Sequence, residues 1–295
     1  MPVLQEHVAV SVEKILLATD FSSVSEKAGA YAKALAKRFG STLEIAHIFN
    51  PSVVTSYEEA LIAMPAAERK QISDENLERF ASSLSLGNIP TELVSAEDHR
   101  PATALLDIAA DHQADLIIAG TESKSGLTRL ILGSTSEHIV RNARCPVLTV
   151  GPKARMPEEG PMVFRTIVYA TDFSAEAARA AAFALSFAED SAAHLYCCSV
   201  LSLDEESGRS RAELHQAFGK RLKAMIPESS YDWCTPECVV EYGEAATSIL
   251  ALAARVNADL IVLGARKSSF WLTRVEGGLT PALLAEARCP VLTIC

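Results

Sequence analysis

A chain of 295 residues is long enough for two domains of about 150 residues each, and a hydrophobic share of 49% is ample for sizeable cores. The net charge of −10 argues against a broad nucleic-acid or anionic-membrane surface, though it leaves room for local basic loops. No stretch is apolar for long enough to span a bilayer. The first twelve residues carry Glu6 and no apolar core of signal-peptide length. Seven cysteines in a chain of this size do not form a disulfide framework. The expectation is a soluble cytoplasmic protein whose cysteines are reduced or metal-bound.

In chain order, strand signals fall at residues 14–19, 42–49, 91–96, 115–119 and 146–150. Helical patterns lie between them. Ser23-Val24-Ser25-Glu26 is a capping-box signal, and the segment to Phe39 repeats alanine and leucine at helical spacing until Gly40 ends it. A helix is predicted over 65–84, and another over 102–112 with Pro101 at its start. The apolar run Asp115-Leu116-Ile117-Ile118-Ala119 reads as a buried parallel strand. A long loop follows, with Gly120 and Gly133 at its ends and Ser134, Thr135 and Ser136 opening a helix through Glu137-His138-Ile139-Val140-Arg141. A helix start offers free N–H groups and a positive dipole end, and glycine lets a ligand approach the backbone. The pattern suits phosphate oxygens as well as an ordinary serine-capped loop.

The chain is then written a second time. Ala18-Thr19-Asp20-Phe21-Ser22 recurs as Ala170-Thr171-Asp172-Phe173-Ser174. Asp115-Leu116-Ile117-Ile118-Ala119-Gly120 recurs as Asp259-Leu260-Ile261-Val262-Leu263-Gly264, and Ala143-Arg144-Cys145-Pro146-Val147 as Ala287-Arg288-Cys289-Pro290-Val291. The offset falls from 152 at Asp20 and Asp172 to 144 at Asp115 and Asp259, so the second copy is shorter in its middle. Prolines, glycines and charges mark 152–162 as a linker between a domain at 1–151 and a domain at 163–295. Strands alternating with helices predict an α/β fold with parallel sheets covered on both faces, whose ligand crevice lies beyond the carboxyl ends of the strands.

Gly120, Gly133 and Ser134 resemble the nucleotide loop of universal stress proteins, Gly-x2-Gly-x9-Gly-Ser/Thr, with Ser123 standing where the second glycine falls. The likeness runs through both copies and makes the chain similar to a tandem member. It implies two Rossmann-like domains of the adenine-nucleotide alpha-hydrolase type, each a five-stranded parallel sheet of order 3-2-1-4-5. It implies an adenine nucleotide, ATP, with adenine near Ala18, Thr19, Asp20 and Ile48. Ribose and phosphates would lie among Gly120, Ser123, Gly133, Ser134, Thr135 and Ser136. Asp20 has a second role open to it, as a turn or cap residue after its strand. Lys124 and Arg129 read as a solvated loop face or as phosphate-neutralising groups. The resemblance also implies pairing of the fifth strands, 146–150 with 290–294, as an intramolecular pseudo-dimer. A homodimer is a further option.

No catalytic apparatus stands out: Asp20 is placed at the base end and Glu122 has no evident partner, so the expectation is no enzyme, or at most a slow ATPase. In the second copy Gly264 and Gly277 keep the loop spacing, but Lys267, Glu276, Gly278 and Pro281 break the pattern, which predicts weak or absent ATP binding there. That copy holds six of the seven cysteines. Cys145 and Cys289 repeat each other and read as core thiols. Cys234-x3-Cys238 has a spacing that zinc accepts, and with Cys198 and His194 it forms a candidate zinc site. If Cys198 shares a sheet face with Cys238, Cys197 is excluded. Buried hydrophobes are the plain alternative, and thiol redox chemistry a third. The competing functions are a regulatory ATP-binding stress protein, a nucleotide-free scaffold, and a zinc or thiol module acting through the second copy.

Overall fold

The structure, a computed structural model, describes residues 10–51, 64–121, 134–201, 210–264 and 279–294. Two compact units divide the chain. The N-terminal unit comprises Ser11–Pro152 and Met156–Met162, and the C-terminal unit comprises Met1–Val10, Lys153–Arg155 and Val163–Cys295. Segments of the join are therefore bonded into each unit: the Met162 N–H donates to the Ala34 carbonyl, and the Arg155 N–H to the Arg288 carbonyl, both at 2.9 Å. No described helix is long and apolar enough to cross a membrane.

The N-terminal unit runs β1 (Lys14–Ala18), α1 (Ser23–Phe39), β2 (Thr42–Phe49), α2 (Ala66–Ser83), β3 (Thr91–Glu97), α3 (Pro101–Asp111), β4 (Leu116–Gly120), α4 (Ser134–Asn142) and β5 (Val147–Val150). Its strands are parallel in the order β3-β2-β1-β4-β5, as the resemblance implied. The C-terminal unit runs β6 (Thr166–Ala170), α5 (Ala175–Asp190), β7 (His194–Leu201), α6 (Arg211–Lys223), a 3-10 turn (Glu228–Asp232), β8 (Thr235–Tyr242), α7 (Ala245–Arg255), β9 (Leu260–Gly264), α8 (Leu279–Glu286) and β10 (Val291–Ile294). Its order is β8-β7-β6-β9-β10, the same topology.

Successive residues of a strand point to opposite faces, so a strand buried throughout is covered on both sides. Ile15, Leu16, Leu17, Ile117 and Ile118 are all buried, as are Ile167, Val168, Ile261 and Val262 in the other unit. The helices that cover them are amphipathic at the expected period. In α1, Val24, Ala28, Tyr31, Ala32 and Leu35 face inward. Each large aliphatic side chain so buried contributes about 1.5–3 kcal/mol.

The helix limits follow local chemistry, with one shift. The N-cap of α1 is Ser22 rather than Ser23: its Oγ accepts the Ser25 N–H at 3.2 Å. The cause lies upstream, where Asp20 Oδ1 accepts the Ser22 N–H at 3.1 Å and fixes that residue just outside the helix. Gly40 closes α1 in the left-handed conformation, φ 70°, as its sequence position predicts. Pro101 occupies the first turn of α3.

One buried charge distinguishes the units. Glu44 in β2 is 7% exposed, and His112, just past α3, places Nδ1 2.6 Å from its Oε1. The register-equivalent of Glu44 in the C-terminal unit is Tyr196, since Leu16 pairs with Glu44 and Val168 with Tyr196. Burial pushes the Glu44 carboxyl above the usual range; His112 and Lys14 oppose this and Glu92 adds to it. A carboxyl raised in the folded state holds its proton more tightly there than in the unfolded chain. Its contribution to stability is therefore present at low pH and lost as pH rises from the unfolded value, about 4.3, through the folded one. Thermal melts of wild type and Glu44→Gln across acid pH are expected to show the wild type losing ground to the variant as pH rises. A constant difference would mean that burial of the carboxyl charge is not what the pair opposes.

Candidate functional site

The strand β1 ends in a turn that its own side chains build. The Thr19 Oγ1 accepts the Phe21 N–H at 3.0 Å, and Asp20 Oδ1 accepts the Ser22 N–H. Phe21 sits between them at φ 62°, a left-handed conformation that costs a bulky residue about 1–3 kcal/mol. Two side-chain bonds to backbone, each worth about 0.5–1.5 kcal/mol, offset it. The C-terminal unit repeats the device: Thr171 Oγ1 accepts from Phe173 N–H and Asp172 Oδ1 from Ser174 N–H, both at 2.9 Å, with Phe173 at φ 62°. The turn role open to Asp20 in the sequence is thus present in both units.

Around this turn several of the expected residues meet. In the β1–β4 register Ala18 pairs with Ala119, which sets Thr19 beside Gly120. The Ser136 Oγ of α4 donates to the Gly120 carbonyl at 3.0 Å and ties the first turn of that helix to the end of β4. On the other side the Thr19 N–H donates to the Ala46 carbonyl, and His47 Nδ1 lies 2.8 Å from the Thr19 carbonyl. Ala18, Thr19, Ile48 and Ser136 are buried, Thr135 is half-buried, and Asp20 is exposed. Ser123 and Gly133 lie outside the described residues, as does the Ser134 side chain. The convergence falls between β1 and β4, the switch point of this strand order.

Gly120 has a steric reason of its own. A Cβ there would lie 2.9 Å from the Val24 carbonyl carbon and 3.0 Å from the Ser25 N, in the first turn of α1. At Gly264 the same atom would lie 2.3 Å from Ala177 N and Glu176 C, in the first turn of α5. Glycine in both copies therefore allows the first helix to press on the end of the fourth strand.

What differs between the units is the dressing of the turn. In the N-terminal unit Ser25 Oγ donates to Asp20 Oδ1 at 2.6 Å. The Phe21 ring meets His47 at 4.2 Å and Phe80 at 5.9 Å between centroids. In the C-terminal unit the counterparts of Ser25 and His47 are Ala177 and Ser199. There the Arg221 guanidinium lies 3.9 Å over the Phe173 ring, with Phe218 at 5.6 Å. The residues Lys267, Glu276, Gly277 and Gly278 lie outside the described residues; Pro281 lies in α8. Sequence reading missed the aromatic contacts, since nothing local connects Phe21 with Phe80 or Phe173 with Arg221.

The profile of the universal stress protein family matches residues 11–151 and 164–294. The chain belongs to the universal stress protein family. A universal stress protein of Thermus aquaticus is 36% identical over 136 residues, 46% of this chain and 96% of that one. A second, from Methanocaldococcus jannaschii, is 33% identical over 144 residues, 47% of this chain and 81% of that one. Each thus corresponds to about half of the present chain, and neither name assigns a catalytic activity. The crystal structure of a universal stress protein from Archaeoglobus fulgidus has a TM-score of 0.70 at 20% identity, covering 95% of both chains. That likeness shows the fold.

The cysteines of this universal stress protein correct one expectation. In the β7–β8 register Cys197 pairs with Cys238, and Cys198 with Val239. Register partners of parallel strands share a face. Cys197, not Cys198, therefore lies on the side of Cys238, and His194 falls with Cys198 on the other. The charged groups that bear on Cys198 are Glu241 and Arg255. The sheet itself divides the set Cys198, Cys234, Cys238 and His194. Among the described residues no group of three or more His, Cys, Asp or Glu side chains is arranged to hold a metal ion. Sequence parity alone left the choice between Cys197 and Cys198 open, because it needs the register. Cys289 is buried and Cys145 partly so, and burial pushes their thiols up to about 12 and about 11.

The glycines make a direct prediction. Gly264→Ala forces a methyl onto helix backbone and is expected to destabilise by roughly 1–3 kcal/mol, with Gly120→Ala milder because its contacts are longer. Denaturant melts measure both. Equal and negligible effects would mean that helix contact does not require glycine at these sites.

Proposed function

We propose that the N-terminal unit binds an adenine nucleotide, ATP, as a regulatory ligand with little or no hydrolysis, and that the C-terminal unit does not. The observation that carries this reading is the convergence, in the N-terminal unit, of an exposed Asp20, the Thr19 turn and the Ser136-anchored start of α4 at the switch point between β1 and β4. The fit to the nucleotide is specific in one respect. Asp20 offers an exposed carboxylate for ribose or adenine donors, and its Ser25 bond leaves it oriented. The helix start at Ser134 supplies N–H groups and a positive end suited to phosphate. In the C-terminal unit a cation stacks on Phe173, and Gly278 and Pro281 replace Ser134 and Glu137.

A second reading, a nucleotide-free scaffold, is favoured by a different observation. The Thr–Asp–Phe turn and the Gly120 contact are repeated in the unit with the broken loop pattern, so the fold alone accounts for them. Both readings keep the remaining features of the proposal: a cytoplasmic location, supported by seven cysteines without a disulfide framework, and pairing of β5 with β10. The support for that pairing is that each is the last strand of its own unit's order and an unpaired edge is a liability.

Calorimetric titration of ATP into the wild type and Gly133→Trp separates the two. Binding in the micromolar range, about −8 kcal/mol, that is lost in the variant assigns the site to the N-terminal unit. A folded wild type that takes up no ATP would leave the scaffold reading standing and overturn the nucleotide one.

A further inference from the structure

Three cysteines of the C-terminal unit gather on one face where β7 meets β8. Cys197 and Cys238 are register partners, and Cys234 precedes β8 by one residue. Cys238, Cys234 and the adjacent Cys198 all bear electrostatically on Cys197, while Cys238, Cys197 and Cys234 bear on Tyr231, half-exposed in the 3-10 turn. Adjacent strands run about 4.8 Å apart, inside the roughly 4.4–6.8 Å between Cα atoms that a disulfide spans. Cys234 is not a competing partner for Cys238. The three strand steps from Thr235 to Cys238 already cover roughly 10 Å, beyond the limit of about 7 Å. Its thiol also donates to the Ser230 carbonyl at 3.3 Å.

Access comes from the Cys238 side. Cys238 is partly exposed on β8, the terminal strand of its unit's order, whereas Cys197 is 4% exposed. Cys197 itself lines a small apolar cavity with Tyr169, Leu185, Leu195, Leu222 and Ile226. The N-terminal unit carries Ile45 and Leu93 at the matching register, so the dithiol belongs to one unit alone. From this geometry we propose that Cys197 and Cys238 are an oxidant-responsive dithiol, converted by a hydroperoxide to a cross-strand disulfide that ties β8 to β7.

The chemistry balances with the hydroperoxide as the oxidant. The Cys238 thiolate attacks a peroxide oxygen and the O–O bond breaks. This gives a sulfenic acid at Cys238, and the displaced oxygen leaves as water or alcohol with the thiol proton. The Cys197 sulfur then attacks the Cys238 sulfur, the S–O bond breaks and the S–S bond forms. Hydroxide leaves and takes the Cys197 proton as water. Two thiols are oxidised and one hydroperoxide is reduced. Burial pushes both thiols up, with Lys223 opposing this at Cys238. The response is therefore slow at neutral pH and registers sustained oxidant rather than turning it over.

The test treats the reduced full-length protein with hydrogen peroxide, alkylates the remaining thiols after denaturation, and maps the peptides by mass spectrometry. The expected result is a peptide pair joined through Cys197 and Cys238, a loss of two alkylatable thiols per chain, and recovery of both with dithiothreitol. Cys238→Ser is expected to leave Cys197 alkylatable after the same treatment, and Cys234→Ser to form the bridge as the wild type does. A bridge through any other cysteine pair would overturn the proposal. So would oxidation of Cys238 to sulfinic acid while Cys197 stays a free thiol. The wild-type peptide map is decisive by itself, so the test stands even where a variant fails to fold.

Discussion

Each unit is organised around the contact between the first turn of its first helix and the end of its fourth strand. Once a helix backbone comes as close to a strand end as α1 does to Gly120 or α5 to Gly264, no side chain fits between them. The approach sets the angle at which the helix leaves the sheet. That angle is then held by the Thr–Asp–Phe–Ser turn, whose hydroxyl and carboxylate satisfy the N–H groups between strand and helix. A bulky residue accepts a left-handed φ because the two side chains before it bond its own N–H and that of the residue after it. The crevice beyond the strand ends is a consequence of this geometry before it is a property of any ligand.

The duplicated chain serves as its own control for what the geometry requires. Residues that recur at matching places, such as Thr19 with Thr171, Asp20 with Asp172 and Gly120 with Gly264, are explained by turn and contact. Residues that do not recur report what each unit has acquired. In the N-terminal unit these are Ser25 on Asp20, His47 against Phe21, and the buried Glu44 with His112. In the C-terminal unit they are Arg221 over Phe173, and Glu244, whose side chain accepts the Ala246 and Thr247 N–H groups at the start of α7. There desolvation raises the Glu244 carboxyl but the hydrogen bonds outweigh it, so the group sits below the usual range. Arg100 stands at the matching place in the N-terminal unit and makes no such cap.

Much of this was legible in the residues. The period of two in the strands and of three to four in the helices fixed element type. The repeat and its changing offset fixed the division into copies, and proline and glycine marked helix ends to within a residue. The N-cap fell at Ser22, one residue before the Ser23 of the capping-box signal, because Asp20 upstream claims the Ser22 N–H. Contacts between distant segments were not legible. Glu44 meets His112 across 68 residues, and no local signal in either announces it. The cysteine face failed for a sharper reason. A strand has only two faces, and a shift of one residue in register exchanges them. Reading Cys198 with Cys238 in place of Cys197 was enough to assemble a zinc site that the sheet divides.

The same division between shared and unshared residues governs the nucleotide reading. Two of the residues that the family resemblance assigns to the nucleotide, the acid after the first strand and the glycine that ends the fourth, have structural employment in both units. Their presence alone therefore says that the fold is built, not that a ligand is bound. The discriminating part is what the C-terminal unit lacks: the hydroxyls of Ser134 and Thr135, replaced by Gly278 and Leu279 while Thr280 keeps one at the place of Ser136; a serine holding the acid; and an aromatic ring set against an imidazole rather than a guanidinium. All three lie in the N-terminal unit, around the end of β1, with β4 on one side and β2, which carries His47, on the other. The proposal that an adenine nucleotide is bound by that unit alone rests on these unrepeated residues rather than on the shared ones.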